Sequence, residues 1–157
     1  HSQIVLNGRI VNDSMGRFVA DAAIKNMIAV GQSPKKSKVV ILGLTFKENC
    51  PDTRNSKVDD IIKRLNEFEI YPVIVDPWAN ESDAMHEYGV TLTKLENIKG
   101  ADCIIVAVAH NEFKALKLDD IKKLYRECAD KEKVLLDVKG IYKVEELNKS
   151  GMKYWRL

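Results

Sequence analysis

Lys38-Val39-Val40-Ile41-Leu42-Gly43-Leu44-Thr45-Phe46-Lys47-Glu48-Asn49-Cys50-Pro51-Asp52-Thr53-Arg54-Asn55-Ser56 is the stretch whose reading decides the fold. Val39 to Leu42 form a short, wholly apolar run of the kind buried inside a sheet. A long polar loop follows. Ser56, with Asp59 three residues on, then reads as the cap of a helix reaching about Phe68. Strand, loop and helix in that order make the first half of a βαβ unit.

The same alternation continues downstream. Pro72 to Val75 reads as a second strand closed by Asp76-Pro77, and Glu81 to Tyr88 as a weaker helix. Asp102 to Val108 is the most apolar strand and so the expected centre of the sheet. Leu118 to Glu127 reads as a helix, Val134 to Asp137 as a strand, Val144 to Lys149 as a short helix and Met152 to Trp155 as an edge strand. The expected fold class is therefore α/β, a doubly wound, mostly parallel, Rossmann-like sheet. Upstream, Val11, Met15, Phe18, Val19, Ala22, Ala23 and Met27 recur at helical spacing. Ile10 to Val30 thus reads as a long helix stopped by Gly31, Ser33 and Pro34. The basic run Lys35-Lys36-Ser37-Lys38 sets a boundary, giving a helical segment over 1–34 and an α/β domain over 35–157.

Composition narrows the classes of function. A chain of 157 residues with 45% hydrophobic and 31% charged residues suits one compact domain. A net charge of +2 lacks the basic footprint of a nucleic-acid binder. No apolar run approaches the ~20 residues of a membrane span, and no signal-peptide pattern is visible at the start. Cys50, Cys103 and Cys128 are too widely spaced for a CxxC motif and suit free thiols in a reducing cytoplasm. Cys103 and Cys128 are expected to be buried packing residues. The histidines show no metal-ligand spacing, so no metal is expected.

Ligands of doubly wound folds bind outside the carboxyl ends of the strands, so the loops there carry the candidate site. A dinucleotide loop would place G-x-G-x-x-G after the first strand, but only Gly43 is present and the turn is much longer. NAD is therefore not expected to sit on this loop. Phe46 can stack on a base, Lys47 can neutralise a phosphate or bond a sugar hydroxyl, and Arg54 can grip a phosphate in a bidentate manner. The helix after Ser56 brings a positive dipole end close by. Together these suit a nucleotide diphosphate held by side chains. Solvated charges around an anchoring Phe46 are the competing reading of the same residues.

The string Gly43-Leu44-Thr45-Phe46-Lys47, then Asp52-Thr53-Arg54 and Ser56, resembles the hallmark loop of the UDP-glucose/GDP-mannose dehydrogenase family. Gly8-Arg9-Ile10-Val11-Asn12-Asp13-Ser14-Met15 resembles the start of that family's carboxy-terminal half. Asp137-Val138-Lys139-Gly140-Ile141-Tyr142 is similar to a late strand-loop motif of the branch that oxidises UDP-N-acetylhexosamines. The resemblance implies that the chain is the carboxy-terminal, UDP-sugar-binding part of an NAD-dependent 6-dehydrogenase, which oxidises a C6 hydroxyl to a carboxylate through a cysteine-bound thioester. It implies that Phe46, Lys47 and Lys139 contact the UDP-sugar and that Arg54 reaches NAD held by a neighbouring amino-terminal domain. It implies a homodimer built on the long helix. Asp52 is expected to orient the loop or Arg54 by a charge-assisted bond. No residue of this chain is expected to be catalytic, Cys50 included, because the family's cysteine motif lies upstream.

Other residues have plainer readings. Asp76 lies over thirty residues past Gly43, further than the ~20 expected of a ribose-binding acid, and reads as a strand-ending turn acid. A receiver-type phosphoacceptor role would need an acidic pair where Gly43-Leu44-Thr45 stand. His110 reads as a structural or peripheral polar group, and Trp78 and Trp155 as packing aromatics. Two other classes remain in play on residues alone: a stand-alone regulatory nucleotide-binding domain, and an oligomerisation module.

Overall fold

The computed structural model describes residues 2–157, with side chains from Met15 onward. Helix α1 spans Ser2–Ala29 and is followed by β1 (Val39–Leu42), α2 (Val58–Glu67), β2 (Val73–Val75), α3 (Glu81–Tyr88) and β3 (Cys103–Val106). Then come α4 (Asn111–Lys114), α5 (Leu118–Lys122), β4 (Val134–Asp137), α6 (Val144–Ser150) and β5 (Lys153–Arg156). All five strands are parallel and lie in the order β2-β1-β3-β4-β5. The most apolar strand is central and Lys153–Arg156 forms an edge, as the apolar pattern requires.

Each inner strand is buried on both faces because successive side chains alternate between two cores. Val39, Ile41, Cys103, Ile105, Val134 and Leu136 point into one. Val40, Leu42, Ile104, Val106 and Leu135 point into the other, against Phe113 of α4, Ile121 of α5 and Leu147 of α6. The first core is closed by α2 over β1 and by α1, which packs against β3, β4 and β5. The connections after β3 and β4 both run on the opposite face, and α1 covers this side of those three strands. Val19, Ala20, Ala23 and Met27 supply the contact. Gly16 lets α1 cross α2 closely, since a Cβ there would stand 2.5 Å from the Asp60 Cβ. An Asp21–Arg64 pair at 2.9 Å ties the two helices beyond that crossing.

Three local expectations need correction. The helix expected over 118–127 stops at Lys122, because Tyr125 forms a parallel bridge with Ala101 and the Arg126 N–H donates to the Ala101 carbonyl at 3.0 Å. Pairing across the chain there overrides helical periodicity. Cys128 consequently lies in the following turn and is half-buried, whereas Cys103 is fully buried and its thiol pushed up in pKa by burial. Helix α2 begins at Val58, one turn position later than a Ser56 cap implies; the Ser56 hydroxyl accepts from the Val58 N–H at 3.2 Å, and Asp59 pairs with Lys63 at 2.8 Å instead of closing a capping box.

The turn after β1 depends on its glycine. Gly43 has φ +110°, and a Cβ there would lie 2.5 Å from the Val108 Cβ. Gly43→Ala should destabilise the fold by about 2–5 kcal/mol, combining backbone strain with overpacking. A urea titration measures this; an unchanged midpoint would show that the turn relaxes freely.

Candidate functional site

The sheet order places a switch point between β1 and β3, from which the chain leaves toward opposite edges. The loop over 43–56 crosses the mouth of that crevice. Its two ends are held by different elements, and its middle is open.

The front anchor is the Asp76 carboxylate, buried at the end of β2. Its Oδ2 accepts from the N–H groups of Leu44 at 2.6 Å and Thr45 at 3.0 Å, and lies 2.9 Å from His110 Nε2. Its Oδ1 accepts from Trp78 N–H at 2.8 Å and Ala79 N–H at 3.1 Å. Asp76 thus serves its own turn, as read from sequence, and also clasps the first loop and His110, beyond the end of β3. Burial works to raise its pKa; the hydrogen bonds from His110, Leu44 and Thr45 outweigh that and hold the carboxyl below its usual range. His110 is fully buried, 5.5 Å from the Phe113 ring and stacked at 6.1 Å under Trp78. Trp78 in turn donates from Nε1 to Glu112 at 2.9 Å.

The rear anchor is the end of α3. Tyr88 donates its hydroxyl to the Thr53 carbonyl and accepts from the Ser56 N–H at 3.1 Å, while the Thr53 hydroxyl donates to Glu87 at 3.1 Å. Within the loop, the Phe46 N–H donates to the Asp52 carbonyl at 2.7 Å. Asn49 and Asn55 take left-handed backbone conformations, at φ 54° and 59°, which asparagine tolerates better than most residues.

Between these anchors the candidate ligand residues stand outward. Phe46 is 53% exposed, and Lys47 and Arg54 are exposed too. Asp52 accepts from the Arg54 backbone N–H at 2.9 Å and from its Nε and Nη2 at 3.0 and 3.2 Å. The side-chain bond to Arg54 leads the causes that lower the Asp52 pKa.

Lys139 lies apart, two strands across, roughly 10 Å from β1 in the sheet direction. It is exposed at the rim of a cavity of about 160 Å³, together with Lys57, Val58 and Ala107. Its loop is also built from behind. The buried Asp137 carboxylate accepts from the Ile141 and Tyr142 N–H groups, both at 2.9 Å, and Arg156 of β5 donates to the Tyr142 carbonyl at 3.0 Å. Thr45, Asn49, Tyr88, Asp137 and Arg156 were not singled out by sequence reasoning. Asn49, Tyr88 and Arg156 find their partners on other elements, Thr45 meets His110 65 positions away, and Asp137 closes its own turn.

The residues do not fit NAD at this switch point. The turn holds one glycine, with Val108 packed where a dinucleotide loop would need open backbone. The acid at the end of β2 has both oxygens committed to protein donors, leaving it no role at a ribose. Among the described residues there is no cluster of His, Cys, Asp and Glu able to hold a metal, and no helix long and apolar enough to cross a membrane.

Asp76 should contribute to stability above the ordinary carboxylate pKa of about 3.9, and that contribution should vanish as pH falls through its lower folded value. Asp76→Asn should cost about 1.5–3 kcal/mol at pH 7, the worth of hydrogen bonds to a charged group. The gap between variant and wild-type urea midpoints should narrow below pH 4; a gap independent of pH would refute an ionised anchor.

Comparison with known proteins shows the family and the fold. Residues 40–144 match the family model described as the UDP-glucose/GDP-mannose dehydrogenase family, UDP binding domain. The chain is 44% identical over 139 residues to UDP-N-acetyl-D-glucosamine 6-dehydrogenase of Pseudomonas aeruginosa, covering 88% of this chain and 32% of the relative. It is 36% identical over 157 residues to Protein CapL of Staphylococcus aureus, covering all of this chain and 36% of that protein. Among solved structures, the UDP-N-acetyl-mannosamine dehydrogenase Cap5O from S. aureus superposes with a TM-score of 0.71 at 26% identity, over 99% of this chain and 33% of the other. The NDP-N-acetyl-D-galactosaminuronic acid dehydrogenase from Methanosarcina mazei Go1 shares the fold with a TM-score of 0.83 at 24% identity, over 96% of this chain and 30% of the other. The chain thus spans about a third of the length of the relatives it matches. Sequence match and sheet geometry agree: this chain belongs to the UDP-glucose/GDP-mannose dehydrogenase family and comprises its UDP binding domain.

Proposed function

We propose that the chain is the part of an NAD-dependent UDP-sugar 6-dehydrogenase that holds the sugar nucleotide, and that the sugar is a UDP-N-acetylhexosamine. One observation carries the reading: a loop fixed in front by buried Asp76 and His110 and behind by half-buried Tyr88 presents Phe46, Lys47 and Arg54 outward at the switch point. Side chains held in place before a ligand arrives lose less freedom on binding it. Phe46 offers a face to the base or sugar, Lys47 a cation to the diphosphate or sugar, and Lys139 a second cation from across the crevice. Asp52 orients the Arg54 guanidinium. Arg54 then reaches toward NAD, which is bound by a domain outside this chain and supplies the hydride acceptor. The names of the relatives favour an N-acetylated hexosamine.

The chain itself grips and orients. Binding energy spent on the distant nucleotide places the reacting carbon against groups outside this chain. A homodimer assembled on α1 and a cytoplasmic setting, which suits three free cysteines, complete the proposal.

Calorimetric titration should show the chain binding UDP in preference to GDP, and Lys47→Ala should weaken that binding at least tenfold, the usual worth of a charged hydrogen bond. Equal affinity for the two nucleotides would sink the proposal. Purified chain given NAD and a UDP-sugar should produce no NADH, and any UDP-sugar-dependent NADH formation would overturn the division of labour.

A further inference from the structure

His110 has no exposure to solvent, so it touches no substrate in this conformation. Both ring nitrogens are nonetheless used, and both bonds bear on one arc of backbone. Nδ1 accepts from the Asn49 N–H at 2.9 Å, which requires that nitrogen to be unprotonated. The ring proton therefore sits on Nε2, which faces the Asp76 carboxylate at 2.9 Å and the Thr45 hydroxyl at 3.1 Å. The Thr45 hydroxyl donates onward to the Lys47 carbonyl at 3.0 Å. One ring thus grips the loop at Thr45, before Lys47, and at Asn49, after it. The Asn49 side chain returns the contact by accepting from the Asn111 N–H at 2.9 Å, beside His110. Lys47 stands exposed on the arc so closed.

We infer that His110 is a positioning residue: as the neutral Nε2–H tautomer it fixes the Thr45–Asn49 arc and so sets the reach of the Lys47 ammonium toward the phosphates. Its effect on a nucleotide rests on the UDP-binding reading above; its effect on the arc does not. A ring serving only to fill the core would be replaceable by any side chain of similar volume. A positioning ring is replaceable only by one that restores the same donor and acceptor.

The test uses the 157-residue chain with its histidines labelled with ¹⁵N. Ring nitrogen shifts at neutral pH should show His110 protonated on Nε2 alone; protonation on Nδ1, or on both, would overturn the inference. His110→Gln keeps a donor toward Asp76 but gives up the Nδ1 acceptor. Exchange of the Asn49 amide should then accelerate at least tenfold while amides of β3 stay protected, and unchanged exchange would refute the inference. Thr45→Val keeps shape and drops the hydroxyl that joins the ring to Lys47. It should weaken UDP binding about tenfold and leave uridine binding, which involves no phosphate, unchanged. If His110→Gln does not fold, Thr45→Val decides: UDP affinity equal to wild type overturns the inference. If the wild-type chain binds no UDP, the functional proposal falls, and the tautomer and the Asn49 exchange still judge the role of His110.

Discussion

One ionised carboxylate organises the carboxyl edge of this sheet. Asp76 receives four backbone N–H groups and one imidazole, drawn from the ends of β1, β2 and β3. A buried charge is costly unless its hydrogen-bonding capacity is filled, and here both oxygens are taken. The three strand ends are consequently held in one mutual arrangement. The loop over 43–56 inherits its path from that arrangement, and the outward direction of Phe46, Lys47 and Arg54 follows from the loop.

The edge also explains why this doubly wound domain differs from a dinucleotide binder of similar topology. In the latter a glycine-rich turn opens backbone to a pyrophosphate, and the acid at the end of β2 meets a ribose. Here Val108 packs against the single glycine, and the β2 acid is consumed in holding protein. What this edge presents instead is a set of side chains on an elongated loop. Cationic and aromatic side chains can grip a nucleotide diphosphate without a close approach of the main chain. The same strand order therefore presents a different surface at its carboxyl edge.

Much of this was legible in the residues. The apolar runs marked each strand within a residue or two, and the run from Cys103 to Val106 fell at the centre of the sheet because it is apolar on both faces. The outward stance of Phe46, Lys47 and Arg54 fits their place in the polar loop after the first strand. What was not legible is long-range. Thr45 and His110 are 65 positions apart, and Leu44 and Asp76 are 32 apart, so no window contains both partners. Helix α4 escaped notice because four residues carry no period, and its first N–H is met by Asn49 from another loop. The early end of α5 has the same cause, a bridge from Tyr125 to Ala101 that only the folded chain brings together.

Helix α1 has a mechanical consequence. Its 28 residues make a rod of about 42 Å, and the second half is embedded against β3, β4, β5 and α2. Because that half shares its core with the sheet, the rod cannot swivel without carrying the sheet along. Any unit joined ahead of it would move together with the sheet, as on the end of a stiff arm. The closeness of two backbones at one glycine thereby helps to make rod and sheet a single stiff body.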